Sequence, residues 1–323
     1  MTQPGARQGS AQAGPRPRAP RFRPLRGEIP YWQSAALGVL CVAAIGCAWW
    51  WATSGPVPEE RWLSPVVLPS PAETFADFHG LWFDAALTRN TLRTLRRVAW
   101  GFGLAAAVGV PLGVLAGCFP RVNAALIPLT IWGRNAPIAA IIPLTFALFG
   151  YGELQKAMFI FIACVAFVIT DTANAIADIS DRYIDTAYTL GASRRQIILK
   201  VLVPLAMPRI FNSLRLLFGL AFGYIMLAEV VQTDNAFGLG GIINMAQGRG
   251  GQRTYILLIL MIIPLVALAI DRLLYALQRD LFPYQYGGAG RLHRSVKLAL
   301  GLWDDAKGLL VRPRGPRLEE APR

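Results

Sequence analysis

Few residues of this 323-residue chain could do chemistry, and most of them border long apolar runs. Glu229 and Arg215 stand near opposite ends of one such run. On a helix they fall within about 40° of one face and roughly 21 Å apart, with Gly219 and Gly223 between them. A face that combines charge with small residues belongs in a bundle interior or against a partner subunit, not in lipid. It either lines a path for a polar solute or is a packing face from which Arg215 snorkels to the interface. Arg134 and Asn135 precede Pro137 and the next apolar run. A guanidinium there can meet an anion, or it can anchor the segment at the membrane boundary.

Other chemistries find little support. The chain has no G-x-x-x-x-G-K-[ST] pattern; Gly238-Leu239-Gly240-Gly241, Gly248-Arg249-Gly250-Gly251 and Gly287-Gly288 all lack the following Lys-Ser/Thr. It therefore does not hold ATP through a P-loop of its own. The histidines, His79 and His293, are far apart, and Cys41, Cys47, Cys118 and Cys164 lie in or beside apolar runs. No metal site is expected from them, and no catalytic residue is assigned.

One polar, basic stretch, residues 185–204, interrupts two apolar runs with DTAYTLGASRRQIILKVLVP. It reads as two short helices around a bend. The segment from Ala187 to Leu190 ends the first, and Gly191 supplies backbone freedom for the turn. Ser193 caps the second, with Gln196 completing a capping box, and Pro204 limits how far that helix continues undisturbed.

Asp185-Thr186-Ala187, Gly191 and Val201-Leu202-Val203-Pro204 reproduce the spacing of the Glu-Ala-Ala loop of bacterial ABC importer permeases, with Asp for Glu, Thr for Ala and Val for Ile and Leu. Leu68-Pro69-Ser70-Pro71, Arg134-Asn135-Ala136-Pro137 and Ala269-Ile270-Asp271-Arg272-Leu273-Leu274 match further recurring segments. The chain thus resembles these permeases from about Leu68 to Tyr284, most closely the sulfonate, nitrate and taurine type. Before the third span that type reads closer to Arg-Pro-Ile-Pro-Pro, a departure that bears on the substrate subclass.

The resemblance implies a membrane-spanning importer subunit that binds no cofactor itself. ATP and Mg belong to partner ATPase subunits in the cytoplasm. Asp185, Thr186, Ala187, Gly191, Ala192, Ser193 and Pro204 would couple to that ATPase. An extracytoplasmic solute-binding protein would deliver a small anion such as a sulfonate, nitrate or taurine-like solute. Arg134, Asn135, Arg215 and Glu229 are the candidates for the translocation path. A second copy, giving a homodimer, would complete a path that one bundle leaves open to lipid.

Composition points the same way. The chain is 54% hydrophobic and 16% charged, a polytopic membrane composition. Its net charge of +13 sits in tails and loops that flank apolar runs, which suits anionic lipid and topology rather than nucleic acid. The expected fold is an all-α integral membrane protein of about six transmembrane helices, placed in the bacterial cytoplasmic (inner) membrane with both termini cytoplasmic. Residues 1–31 read as a disordered basic tail, 32–91 as a first anchor with an outer-face segment, and 92–284 as the core permease domain. Within the last, 177–208 is the cytoplasmic loop. Residues 285–323 form a cytoplasmic tail, with an amphipathic helix over 291–311 as one reading. The spans after the anchor are expected near 96–118, 136–149, 156–175, 212–231 and 255–277. Gly109, Gly113 and Gly117 recur every fourth residue, as do Gly219 and Gly223, and are expected to let helices pack closely. An integral-membrane enzyme would need a cluster of His, Asp or Glu, and an ion-coupled transporter would need paired carboxylates or broken helices at mid-bilayer. The carboxylates are scattered with no such cluster, and Glu229 lies too near the surface to serve an ion-coupled transporter well; these two classes stand as the alternatives.

Overall fold

The computed structural model describes residues 29–55, 57, 61–231, 238–248 and 252–286. Both tails, including the expected helix over 291–311, lie outside these residues, apart from their inner edges at 29–31 and 285–286. The chain divides into two compact units after Leu63. In the first, α1 spans Tyr31–Thr53, an apolar helix long enough to cross a bilayer. Its end is tied locally: Thr53 Oγ1 donates to the Trp49 carbonyl at 2.8 Å, and the Trp51 and Trp62 rings lie 5.9 Å apart.

The second unit is all-helical among its described residues. It opens with α2, Pro71–Ala76, and α3, Phe78–Phe83, two short helices where the sequence suggests one. Ser70 and Glu73 form a capping box at α2, and Asp77 between the two accepts a hydrogen bond from Thr254 Oγ1 at 2.5 Å. The helix α4 then runs unbroken over Leu87–Cys118, straight through the domain edge expected at 91/92.

Next come α5, Pro120–Asn135, and α6, Ile138–Phe149, which meet at 104°. The third span was expected over 136–149 alone; α5 extends it back to Pro120. Its polar side chains, Asn123, Thr130, Arg134 and Asn135, hide it from a hydropathy reading. Ala136 precedes Pro137 and is held extended, at φ −63° and ψ 133°, which ends α5 and turns the chain.

The helix α7, Glu153–Ala177, runs parallel to α4 with a constant offset in sequence. A Cβ on Gly109 would lie 2.7 Å from Val168, one on Gly113 2.5 Å from Thr172, and one on Gly117 2.6 Å from Ile176. No side chain fits there, so the backbones touch. Gly101 faces Ile160 in the same register, and buried Ala105 lies between it and Gly109. The small-residue stripe is therefore longer than the three glycines singled out from sequence, although the four-residue spacing could have revealed it.

Helices α8, Asp181–Thr189, and α9, Arg194–Ile197, form a hairpin. One π-helical turn, Ile198–Leu202, joins α9 to α10, Val203–Val231. Pro204 was expected to limit how far this helix continues undisturbed. The helix continues over Arg194–Val231 but is disturbed by the wider turn just before the proline, in which the Val203 N–H reaches the Ile198 carbonyl. The chain ends in α11, Leu239–Gly248, α12, Arg253–Leu281, and the short α13, Pro283–Tyr286. Counting the bent α5–α6 pair as one, six segments are long and apolar enough to span a membrane.

The main core gathers Phe102, Phe159, Ile160, Phe222, Ile225 and Leu258 from α4, α7, α10 and α12. A smaller core at the hairpin end joins Ala175, Ile176, Ala187, Ile197, Leu202 and Ile210.

Candidate functional site

The hairpin is built by local rules. At the end of α8 the Gly191 N–H donates to the Tyr188 carbonyl at 2.9 Å and the Ala192 N–H to the Ala187 carbonyl at 3.0 Å. This is the Schellman arrangement, and it needs the left-handed φ of +77° that Gly191 adopts. Ser193 and Gln196 then cap α9 reciprocally, the Ser193 N–H donating to Gln196 Oε1 at 2.8 Å. The hairpin is keyed to the bundle by Ala187, only 6% exposed in the smaller core. Asp185, Thr186, Gly191 and Ser193 are exposed, as is Pro204, and Ala192 is half-buried.

A cavity of about 670 Å³ lies along α5 and α7. Asn123, Thr130, Arg134 and Asn135 line it from α5, and Thr170 and Asn174 from α7. Arg134 is the only charged side chain among the lining residues, and its guanidinium carbon sits 5.3 Å from the centre of the Phe167 ring. Arg134 and Asn135 stand in the last turn of α5, just before the break to α6.

At the opposite end of the bundle lies a buried charge network. Arg97 of α4 points one Nη at Glu229 of α10, 2.7 Å from Oε1, and turns its Nε and other Nη to Glu153 at the start of α7. The side chains of Arg97 and Glu229 are each 1% exposed. Thr94 Oγ1 lies 2.9 Å from both oxygens of Glu229, and its own oxygen accepts from the Leu239 N–H at 3.0 Å. The Gly240 N–H completes the shell at 3.0 Å from Oε2. A Cβ on Gly240 would fall 2.7 Å from Glu229 Cβ and 2.9 Å from the Met226 carbonyl. The glycines of this segment, which lack a P-loop lysine, thus let the first turn of α11 come within hydrogen-bonding reach of a carboxylate. Four helices are knotted at one point.

The family described as "Binding-protein-dependent transport system inner membrane component" matches residues 109–283 of this chain, which include the cavity and the hairpin. The chain belongs to this family. It is a membrane-spanning permease subunit of an ABC importer. The permease is 29% identical over 268 residues to the taurine transport system permease protein TauC of Escherichia coli, covering 81% of this chain and 94% of that one. It is 34% identical over 224 residues to the bicarbonate transport system permease protein CmpB of Synechococcus elongatus, covering 68% of this chain and 76% of that one. Its fold is shared with a chain of an amino acid ABC transporter solved with histidines, at a TM-score of 0.51 and 16% identity, covering 64% of the permease and 97% of that chain.

The permease brings only some of the residues singled out from sequence together. Arg134 and Asn135 share the cavity. Arg215 lies apart from them, in a cleft of about 340 Å³ between α10 and α12, where it pairs with Asp271 at 3.3 Å and stacks over Tyr275. Glu229 lines none of these openings; its carboxylate is enclosed by protein donors. Its ion pair with Arg97 joins it to α4, and its hydrogen bond from the Gly240 N–H joins it to the glycine-rich segment after α10. The Ala187 side chain is buried in the smaller core. The exposed hairpin surface is carried by Tyr183, Tyr188, Leu190 and Leu199, with Leu190 at 81% exposure. The helical period of α8 does not separate these faces, since Tyr188 lies about 40° from Ile184 and Tyr183 about 40° from Ala187. Gly219 and Gly223 meet nothing within 4 Å in this chain, so the close packing expected at them is not made within one copy. Arg97, Thr94 and Glu153 escaped the sequence reading. Arg97 adjoins Arg96 at the start of the apolar run, where a basic pair reads as a boundary anchor and gives no signal of a buried partner.

Proposed function

We propose that this permease imports a small anion, and that Arg134 and Asn135 meet it within the membrane. The observation that carries this reading is the charge of the cavity along α5 and α7. Its polar lining is amide and hydroxyl with one guanidinium, set among apolar side chains; no carboxylate lines it, and the acidic group acting on Arg134 is Asp171 of α7. Such a wall favours an oxyanion small enough to share several weak donors. The relatives named for taurine and bicarbonate point to the same chemical class.

The rest of the machine follows from what one copy leaves exposed. The hairpin offers Leu190, Leu199 and two tyrosines beside Arg182, Arg194 and Arg195, a surface suited to a partner ATPase that holds the ATP and Mg. The face of α10 with Gly219, Gly223, Leu216 and Leu220 suits close approach of a second copy. The opposite end of the bundle would receive the solute-binding protein. In this reading the hairpin and both termini lie in the cytoplasm of a bacterial cell, with the permease in its cytoplasmic membrane.

The test is ATP-driven uptake in proteoliposomes that hold the permease, its ATPase and its binding protein. Taurine, bicarbonate and a neutral amino acid serve as alternative solutes. Arg134→Gln should cut anion uptake by about tenfold or more with assembly intact, the scale of one lost charge-assisted contact. Undiminished anion uptake in that variant, or uptake of the neutral solute alone, would reject the reading.

A further inference from the structure

Two prolines weaken α10 where it enters the hairpin. Pro208 has no N–H, so the Pro204 carbonyl lacks the partner that an unbroken helix would supply. The end of α12 fills the gap. Tyr284 of α13 donates its hydroxyl to that carbonyl at 3.2 Å. Gln278, near the end of α12, donates Nε2 to the Pro208 carbonyl, also at 3.2 Å. Between them the Phe282 ring packs against Phe211 of α10, with centroids 5.9 Å apart. The three points gripped, residues 204, 208 and 211, lie at i, i+4 and i+7 and so share one face of α10.

Gln278 is an expensive way to fill this position. It is 1% exposed, and its Oε1 has no hydrogen-bond partner. An orphaned buried acceptor is destabilising, and a methionine of similar shape would pack there without it. The amide is explained if a second donor, beyond the helical N–H of Asn212, braces that carbonyl beside the weakened turn at Pro204.

We propose that Gln278, Phe282 and Tyr284 form a clasp that stiffens the joint at Pro204 and Pro208, and that Gln278 and Tyr284 are positioning residues for coupling. The rod of Arg194–Val231 connects the hairpin to the far end of the bundle. A slack joint would absorb hairpin motion; a clasped one passes it along α10. The proposal rests on the reading of the hairpin as the ATPase-docking surface.

The experiment uses the complete transporter in lipid nanodiscs with the variants Tyr284→Phe and Gln278→Met. Tyr284 is 65% exposed, so losing its hydroxyl leaves packing intact. Both variants should raise hydrogen exchange over residues 197–208 by about tenfold while α4 and α7 stay protected. Stimulation of ATP hydrolysis by the partner binding protein should fall by about threefold or more at unchanged thermal stability. Unchanged exchange would overturn the clasp, and so would faster exchange with full stimulation, which marks a packing contact only. A third variant, Leu190→Glu, should release the ATPase subunit on purification. If the subunit stays bound, the docking reading fails and the clasp with it. If it is lost while the clasp variants remain fully coupled, only the clasp fails.

Discussion

Arg97 and Glu229, 132 residues apart in the chain, meet at 2.7 Å in a site closed to solvent. This pair, with Glu153, Thr94 and the Gly240 N–H, fastens α4, α7, α10 and α11 at one end of the bundle. Its geometry satisfies each charge with several partners, which is the condition for a buried ion pair to be tolerated.

Breaking it on one side should be costly. Glu229→Gln leaves Arg97 with Glu153 as its charged partner and places an amide NH2 among the donors around residue 229. It should destabilise the permease by roughly 1–3 kcal/mol, the cost of buried donors left without an acceptor. Thermal unfolding of the detergent-solubilised protein measures this. Arg97→Gln combined with Glu229→Gln should cost less than the sum of the two single changes, since neither charge is then stranded beside the other site. A Glu229→Gln variant as stable as the parent, with altered transport alone, would return Glu229 to the translocation path.

The α4–α7 seam makes a second prediction. At Gly113 an added Cβ would sit 2.5 Å from Thr172 Cβ and 2.7 Å from the Ile169 carbonyl. Gly113→Leu should therefore force two parallel helices apart, and in lipid no hydrophobic drive brings them together again. Little folded protein should be recovered. Gly219→Leu adds its side chain where this chain has open space, so single-copy folding should survive it. Recovery of monodisperse protein by size-exclusion chromatography compares the two, and equal yields would contradict the seam.

Gly191 separates conformation from space. Nothing lies within 4 Å of an added Cβ there, yet φ is +77°. Gly191→Val should strain the bend by about 1–3 kcal/mol without any clash. Gly191→Asn, which tolerates the left-handed region, should remain close to the parent. We expect the Val variant to reach the membrane at normal levels but to lose ATP-driven uptake, and the Asn variant to keep most of it. Equal activity of Val and Gly at this position would show that the bend does not matter to coupling.

The sequence by itself determined what depends on near neighbours. Apolar runs of sufficient length marked the spans. The four-residue repeat of glycine marked the face that α4 turns to α7. The Ser193–Gln196 box and Gly191 marked the bend of the hairpin, because caps and turns are made within a few residues. Only the tertiary structure decided what depends on which helices become neighbours. It paired Glu229 with Arg97 and Arg215 with Asp271, although each side chain alone was equally suited to a solute path. It turned Ala187 inward, so that the tyrosines and Leu190 carry the exposed surface of the hairpin. It also set a polar helix, α5, before the expected third span, where its amides, hydroxyl and Arg134 face a cavity shared with α7. The physical reason is range: hydrogen bonds of caps close over a few residues of chain, whereas a buried charge finds its partner only once packing has fixed which helices meet.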